Sequence, residues 1–135
     1  RWLAHGRPAE GFFYTGQVPA ARVPHLMAAF DVCALPLPWT QHFAYYASAL
    51  KLFEYLAAGR PVVASDLPST REIVTDGETA LLFPPGDSAQ LGDVINRLLD
   101  DAALRQRLAA QGRALALQSY TWAARAARIL SLIRS

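Results

Sequence analysis

Lys51 and Glu54 stand three residues apart in the segment ALKLFEYLAAGRPVVAS, residues 49–65. Lys51 is the only lysine among the 13 basic residues of the chain, and all the others are arginines. An ammonium attracts phosphate, and a carboxylate accepts hydrogen bonds from the neighbouring hydroxyls of a sugar ring. Because a nucleotide carries both groups, the pair predicts a nucleotide site. The alternative is a solvated ion pair that contributes about 0.2–0.5 kcal/mol.

The elements around this pair predict how it is positioned. Four short runs are apolar throughout, which is typical of strands in a parallel sheet that is covered on both faces. They are residues 12–15, 31–35, 61–64 and 80–83. Apolar residues at helical spacing predict helices at 19–30, 49–58 and 102–118, and Gly59 ends the second of these. The predicted fold class is α/β: a Rossmann-like parallel sheet with helices on both faces, ending in two or three consecutive helices.

Three further helix starts are predicted from capping residues. Ser69 and Glu72 have the spacing of a capping box, and Asp87 with Gln90 opens another helix in the same way. Thr121 caps the last helix. Residues 36–48 are predicted to form a loop.

Ligands of such sheets bind beyond the carboxyl ends of the strands. This edge is predicted to hold residues 15–18, the loop at 36–48, Ser65, Asp66 and the first turn of the helix at 49–58. Unpaired N–H groups and the positive end of the helix dipole favour an anion at that first turn. Lys51 lies in the same turn, where a cation is misplaced unless an anion binds beside it.

Composition narrows the function classes. The chain of 135 residues is 53% hydrophobic and 18% charged, as expected for one globular domain. The net charge of +2 does not favour a nucleic-acid partner, and the apolar runs are too short to span a bilayer. Cys33 and the three histidines lack metal-ligand spacing. A single cysteine inside an apolar run fits a reducing compartment, so we expect a cytoplasmic location.

Four segments together resemble one known family. FFYTGQVP, LMAAFDVCALP, LKLFEYLAAGRPVVASDLPSTREIV and DGETALLFPPGD are similar, in order and spacing, to the donor-binding half of glycosyltransferase family 4, also called group 1. These enzymes have the GT-B fold. The resemblance implies transfer of a sugar from a nucleotide-sugar donor, with retention of configuration and without a metal or other cofactor.

The same resemblance implies roles for individual residues. Lys51 would be catalytic by stabilising the departing diphosphate, and Glu54 would bind the ribose hydroxyls. Backbone groups of the remaining positions would border the base or hold the phosphates and the sugar. These donor-binding positions are Gly16, Gln17, Val18, Tyr46, Ala47, Ser48, Ala49 and Leu50.

Two positions depart from the family pattern. Many members carry a glutamate eight positions before the one matched by Glu54, and this chain has Tyr46 there. Ala49 replaces a proline of the branch that reads Ser-Pro-Leu-Lys. The sugar contact expected of the first glutamate would then fall to another group of the loop, such as His42, Tyr45 or Tyr46.

Residues 1–135 are therefore expected to form a single nucleotide-sugar-binding Rossmann-like domain, truncated at its N-terminus and lacking the acceptor domain. Its expected partners are a UDP-, GDP- or ADP-linked sugar, a glycan or lipid-linked acceptor, and no nucleic acid. Arg125, Arg128 and Arg134 give the last helix a basic side, so peripheral contact with the inner membrane surface is a further hypothesis. Two alternatives stay open: a nucleotide-binding or assembly module without transferase activity, and a GT-B relative such as a nucleotide-sugar epimerase.

Overall fold

The structure, a computed structural model, describes residues 14–134. Within this range three parallel strands form one sheet in the order β1 (Cys33–Leu35), β2 (Val62–Ser65) and β3 (Leu81–Phe83). The parallel sheet predicted from the apolar runs is confirmed. Of the strand predicted at 12–15, residues 12 and 13 lie outside the described part, and residues 14 and 15 belong to no helix or strand.

Six α-helices accompany the sheet within residues 14–134. They are α1 (Val23–Ala28), α2 (Leu50–Ala57), α3 (Pro68–Arg71), α4 (Ser88–Asp100), α5 (Ala102–Ser119) and α6 (Trp122–Ile133). The helix predicted at 19–30 is shorter than expected, because its first turn is a separate 3₁₀ segment, Ala20–Arg22. Pro24 lies in the first turn of α1, a position where its missing N–H leaves no helical bond unmade.

Helices cover both faces of the sheet, as predicted. Side chains alternate along β2, which is fully buried. Val62 and Ala64 pack in a core cluster with Leu52 and Leu56 of α2 and with Ala116 of α5. Residue 63 points the other way, into a second cluster formed by α4 and the first half of α5. The long helix α5 therefore contributes to the cores on both sides.

The helix α2 is closed at its C-terminus by the turn predicted from Gly59. This glycine has a φ of 65°, its N–H donates to the carbonyl of Leu56, and the Arg60 N–H donates to the carbonyl of Tyr55. These two bonds form a Schellman motif, which requires a left-handed residue at the glycine position. The turn directs the chain from α2 straight into β2.

The predicted caps are confirmed in two of three cases. Asp87 accepts a hydrogen bond from the Gln90 N–H, and Thr121 accepts one from the N–H of residue 124. The capping box of Ser69 and Glu72 is wrong. The N-cap is Leu67 and Pro68 is the first helical residue, so α3 starts two residues earlier than predicted; Ser69 is already inside the helix and its hydroxyl bonds elsewhere.

The contact between α2 and α5 depends on Gly112. A β-carbon at this position would lie 2.7 Å from the Leu56 Cδ2 atom and 3.0 Å from the Thr79 carbonyl oxygen. Leu56 is fully buried and has no free space into which to move. Residue 112 must therefore be glycine for the two helices to pack at this distance.

We expect Gly112→Ala to destabilise the chain by about 1–2 kcal/mol, because overpacking outweighs the gain in helix propensity. Gly92→Ala in α4 is the matched control, since a β-carbon there meets nothing within 4 Å. It should stabilise the chain by up to about 1 kcal/mol. Thermal unfolding of both variants checks this, and equal midpoints would show that the α2–α5 contact is not tight.

Cys33 is buried in β1, and burial raises the pKa of its thiol to about 11, with the Arg60 guanidinium opposing the shift. The thiol of the unfolded chain ionises near its ordinary value of 9.0. Between these two values the unfolded state loses its proton first, so stability falls as the pH rises. Below pH 9 both states hold the proton and the thiol contributes no pH dependence.

We therefore expect the free energy of unfolding of the wild-type chain to fall by about 1–2 kcal/mol more than that of Cys33→Ala between pH 8 and 10.5. Urea unfolding of both chains at the two pH values measures this difference. Titration of groups distant from Cys33 is common to both chains and cancels, whereas Tyr55, whose pKa is raised by burial and by Cys33, contributes to the measured difference. A difference that does not change with pH would contradict a buried, protonated thiol.

Candidate functional site

The first turn of α2 lacks a side-chain cap. Ala49 is the residue before the helix, and it offers no side-chain acceptor. The N–H groups of Leu50 and Leu52 donate within the turn, to the carbonyls of Ser48 and Ala49. Those of Ala49 and Lys51 donate to no acceptor within residues 14–134. Two amide donors at the positive end of the helix therefore lack a backbone partner, and this end of the helix dipole favours an anion.

Lys51 and Glu54 form an ion pair beside these amides. The distance from Lys51 Nζ to Glu54 Oε2 is 2.6 Å, and the two side chains are 56% and 32% exposed. The hydrogen bond that Lys51 donates to Glu54 raises the pKa of Lys51 above its ordinary value. In the free chain the two charges thus neutralise each other at the surface, as in the solvated pair considered as the alternative. An exposed pair of this kind is weak enough for a ligand to separate it.

A π-helical turn, His42–Tyr46, leads directly into this site. These residues were predicted to lie in a loop, and the prediction is wrong for this stretch. The turn is held by hydrogen bonds from the Ala44 N–H to the Thr40 carbonyl and from the Ala47 N–H to the His42 carbonyl, each 2.8 Å long. Ala44 is fully buried beneath it. Helical turns of this type are frequent at functional sites.

Tyr45 and Tyr46 project from the turn into solvent, with 61% and 73% of each residue exposed. Neither ring contributes to the core. Tyr46, which stands where many family members have a glutamate, therefore lies on the surface two residues before Ser48. The structure places positions 46 to 54 together as one continuous stretch: turn, helix start and ion pair.

Gly16, Gln17 and Val18 lie outside the helices and strands, in the chain before the 3₁₀ segment. Gly16 has a φ of 68°, which favours glycine, and Gln17 is exposed. Hydrogen bonds among the described residues do not join this segment to α2. Its predicted place at the border of a base pocket stays a prediction.

Asp66 follows β2 at the predicted edge, and it is engaged by Arg71. The carboxylate accepts from both Nε and Nη2 of the guanidinium, the latter at 2.7 Å. The neighbouring hydroxyls of Ser65 and Thr70 are buried, and neither has a hydrogen-bond partner in the described part of the chain. Asp66 therefore holds α3 in place rather than capping it. The buried hydroxyl of Thr70 was not predicted, because no local sequence pattern indicates that this residue is buried.

A groove of about 550 Å³ runs between the start of α2 and the last helix. Its walls combine apolar side chains with arginine, and they include the rings of Phe53 and Tyr120, whose centroids are 4.9 Å apart. Lining residues include Ser48, Leu50, Phe53, Trp122, Arg125 and Ile129. No signal in the sequence indicated this groove, because no local pattern shows which element faces α6.

Two features of residues 14–134 bear on metals and membranes. No three His, Cys, Asp or Glu side chains gather there into a group that could hold a metal ion. Nor does any helix in this range have the length and apolar character needed to cross a bilayer. Independence from metals stays a prediction.

We expect Lys51→Ala and Glu54→Ala to change the free energy of unfolding by no more than about 0.5 kcal/mol each, because exposed ion pairs contribute little. The two residues are three positions apart in the same helix, so their ion pair does not join α2 to another helix or strand. Urea unfolding at neutral pH checks this. A loss of about 2 kcal/mol or more from either variant would show that the pair is structural and that its two groups are not available to a ligand.

Comparisons with known proteins identify the family to which the chain belongs. The family model described as Glycosyl transferases group 1 matches residues 1–101, three quarters of the chain. The chain is 38% identical over 125 residues to a phosphatidyl-myo-inositol mannosyltransferase of Mycobacterium leprae, covering 93% of this chain and 32% of that protein. It thus spans about a third of the length of this relative.

Solved structures give the same result. Sucrose-phosphate synthase from Thermosynechococcus elongatus superposes with a TM-score of 0.76 and 31% identity, over 90% of this chain and 29% of that one. Anabaena Alr3699/HepE, solved in complex with UDP, superposes with a TM-score of 0.68 and 27% identity, over 84% and 30%. The predicted Rossmann-like fold is confirmed by these neighbours. The chain belongs to the family of group 1 glycosyl transferases.

Proposed function

We propose that this chain is the donor-binding part of a glycosyltransferase that moves a sugar from a nucleotide sugar to a glycan or lipid-linked acceptor. The observation that carries the proposal is the start of α2, where two available amides lie beside Lys51 and Glu54. The UDP and UDP-glucose bound in the Anabaena neighbour support a ligand of this class. The mannosyltransferase name of the relative and the sucrose-phosphate synthase name of the neighbour support sugar transfer in general.

In this proposal the ligand separates the ion pair and uses both of its members. Lys51 turns from Glu54 to the diphosphate, joining the amides of Ala49 and Lys51 at the helix end. Glu54, one turn deeper, accepts hydrogen bonds from the ribose hydroxyls. The cost of breaking the pair is small because both side chains already contact water. The site thus holds its two charges against each other until a nucleotide arrives.

The chemistry follows from these positions. The bond between the anomeric carbon of the sugar and the diphosphate oxygen breaks, and its electron pair leaves on the diphosphate. An acceptor hydroxyl oxygen forms the new bond to the same anomeric carbon and passes its proton to the departing diphosphate. Lys51 and the helix amides stabilise the charge that develops on the leaving group. We propose retention of configuration and no requirement for a metal, on the resemblance to family 4.

Tyr46 is proposed to contact the donor sugar. Its ring is exposed at the end of the π-helical turn, next to the phosphate-binding amides. A tyrosine offers a flat apolar face and a hydroxyl, both suited to a sugar ring, but no carboxylate. This difference also favours a second candidate, a nucleotide-binding module that does not catalyse transfer. A transfer assay with the longer protein, with and without Tyr46→Ala, distinguishes the transferase from the non-catalytic module. Only the transferase would move the sugar to an acceptor.

The direct test is calorimetric titration of the chain with UDP, GDP, ADP and their sugars. We expect one nucleotide to bind and both Lys51→Ala and Glu54→Ala to weaken it by about tenfold or more, since each removes a charged hydrogen bond. Arg97→Ala and Glu78→Ala are matched controls, because both side chains are exposed and neither belongs to the site. Their affinities should equal that of the wild-type chain.

Equal affinities for all five chains would place any bound nucleotide elsewhere and contradict the proposal. Absence of binding at millimolar concentration, repeated with a chain extended toward its N-terminus, would contradict it as well.

A further inference from the structure

The π-helical turn His42–Tyr46 is fastened by a residue that is distant in sequence. The hydroxyl of Ser69, in α3, donates to the carbonyl of Phe43 at 2.7 Å, across 26 positions. The bond is partly buried. Thr40 and His42 supply the other hydrogen-bond acceptors of the turn, and both are local. Within residues 14–134, Ser69 is thus the side chain whose hydrogen bond ties this turn to the rest of the fold.

Ser69 is itself held in a fixed place. The Asp66 N–H donates to the Phe83 carbonyl at the end of β3, at 2.8 Å. Leu67, the residue before α3, is fully buried, and the Asp66–Arg71 pair joins the residue before Leu67 to the last residue of the helix. Because α3 is anchored to the sheet in this way, the hydrogen bond of the Ser69 hydroxyl fixes the π-helical turn relative to the sheet.

The turn in turn sets where α2 begins. The Ala47 N–H donates back to the His42 carbonyl, and Ser48 and Ala49 follow at once. A shift of the Phe43 carbonyl therefore moves the exposed ring of Tyr46 and the amides of the first helical turn. Glu54 is less affected, since Leu52 and Leu56 fix the body of the helix in the core.

We propose that Ser69 is a positioning residue of the donor site, which holds the π-helical turn in the shape that presents Tyr46 and the first α2 amides to the sugar and the diphosphate. This inference rests on the proposed function. It assigns a role to α3 that the capping pattern of Ser69 and Glu72 did not indicate. Ser69 acts through the turn and makes no contact with the ligand.

The test compares Ser69→Ala, which removes the hydroxyl, with Ser69→Thr, which keeps it. Ser131→Ala is the matched control, because Ser131 also donates to a backbone carbonyl at 2.7 Å, that of Arg128, but inside α6. Two quantities are measured on each chain: hydrogen exchange of the Ala47 amide, and the affinities for the nucleotide sugar and for the bare nucleoside diphosphate.

We expect Ser69→Ala to accelerate hydrogen exchange of the Ala47 amide by about fivefold or more. The affinity for the nucleotide sugar should fall by a similar factor, which is the usual effect of one lost hydrogen bond. The bare diphosphate should lose less affinity than the nucleotide sugar, because it lacks the sugar that Tyr46 is proposed to contact. Ser69→Thr should restore both quantities, and Ser131→Ala should change neither. A general loss of stability would not produce this difference between the two ligands.

Three results would overturn the inference. Wild-type exchange at Ala47 in Ser69→Ala would show that the hydroxyl does not hold the turn. Faster exchange with unchanged affinities, or with equal losses for both ligands, would make the bond purely structural. If the wild-type chain binds no nucleotide, the proposed function fails first, and the exchange measurement then reduces Ser69 to a fold-stabilising residue.

Discussion

The packing of α2 between the sheet and α5 is the constraint on which the rest of the site depends. Leu52 and Leu56 are fully buried against β1 and β2, and Gly112 lets α5 approach within contact distance of Leu56. Arg113 adds a hydrogen bond from its guanidinium to the carbonyl of Ala57. With its inner face fixed, α2 has to present Lys51 and Glu54 outward. Apolar packing thus sets the direction of the helix end, and this direction determines that Lys51 and Glu54 face solvent, where a ligand could reach them.

Electrostatics then decides what this helix end can receive. The positive end of the dipole, two amides without acceptors and a lysine all favour an anion, and only Glu54 opposes it. Because Lys51 and Glu54 pair at the surface, neither charge is desolvated and neither is strongly held. A ligand with a diphosphate and neighbouring hydroxyls satisfies all four groups at once. A simple anion satisfies the lysine and the amides but leaves Glu54 without a partner.

Much of the fold could be predicted because its signals are local. The glycine at 59, the Asp87 cap and the Thr121 cap each act within a few residues, and uniformly apolar runs mark strands that are buried on both faces. The proximity of Lys51 and Glu54 also follows from local spacing, whereas their role in binding a nucleotide stays a prediction. The prediction failed where distant residues decide the structure. Ser69 was assigned to a cap because its partner, the Phe43 carbonyl, is invisible to local pattern.

The same reason explains the π-helical turn. Its sequence, HFAYY, contains no glycine or proline that would indicate where a helical turn begins or ends. A loop was therefore predicted for this stretch. Burial of Ala44 and the bond from α3 select this backbone shape, and both are tertiary contacts. The groove beside α6 also escaped prediction, since it needs two elements that are 65 or more residues apart to meet.

The central claim is that the first turn of α2 is the diphosphate site. The most direct measurement is a ¹⁵N NMR titration of the labelled chain with the nucleotide that binds and with its sugar. The account predicts that the Ala49 and Lys51 amide signals show the largest shifts, and that Lys51→Ala reduces the shift at Ala49. Saturable shifts confined to other residues, with both amides unmoved, would contradict it.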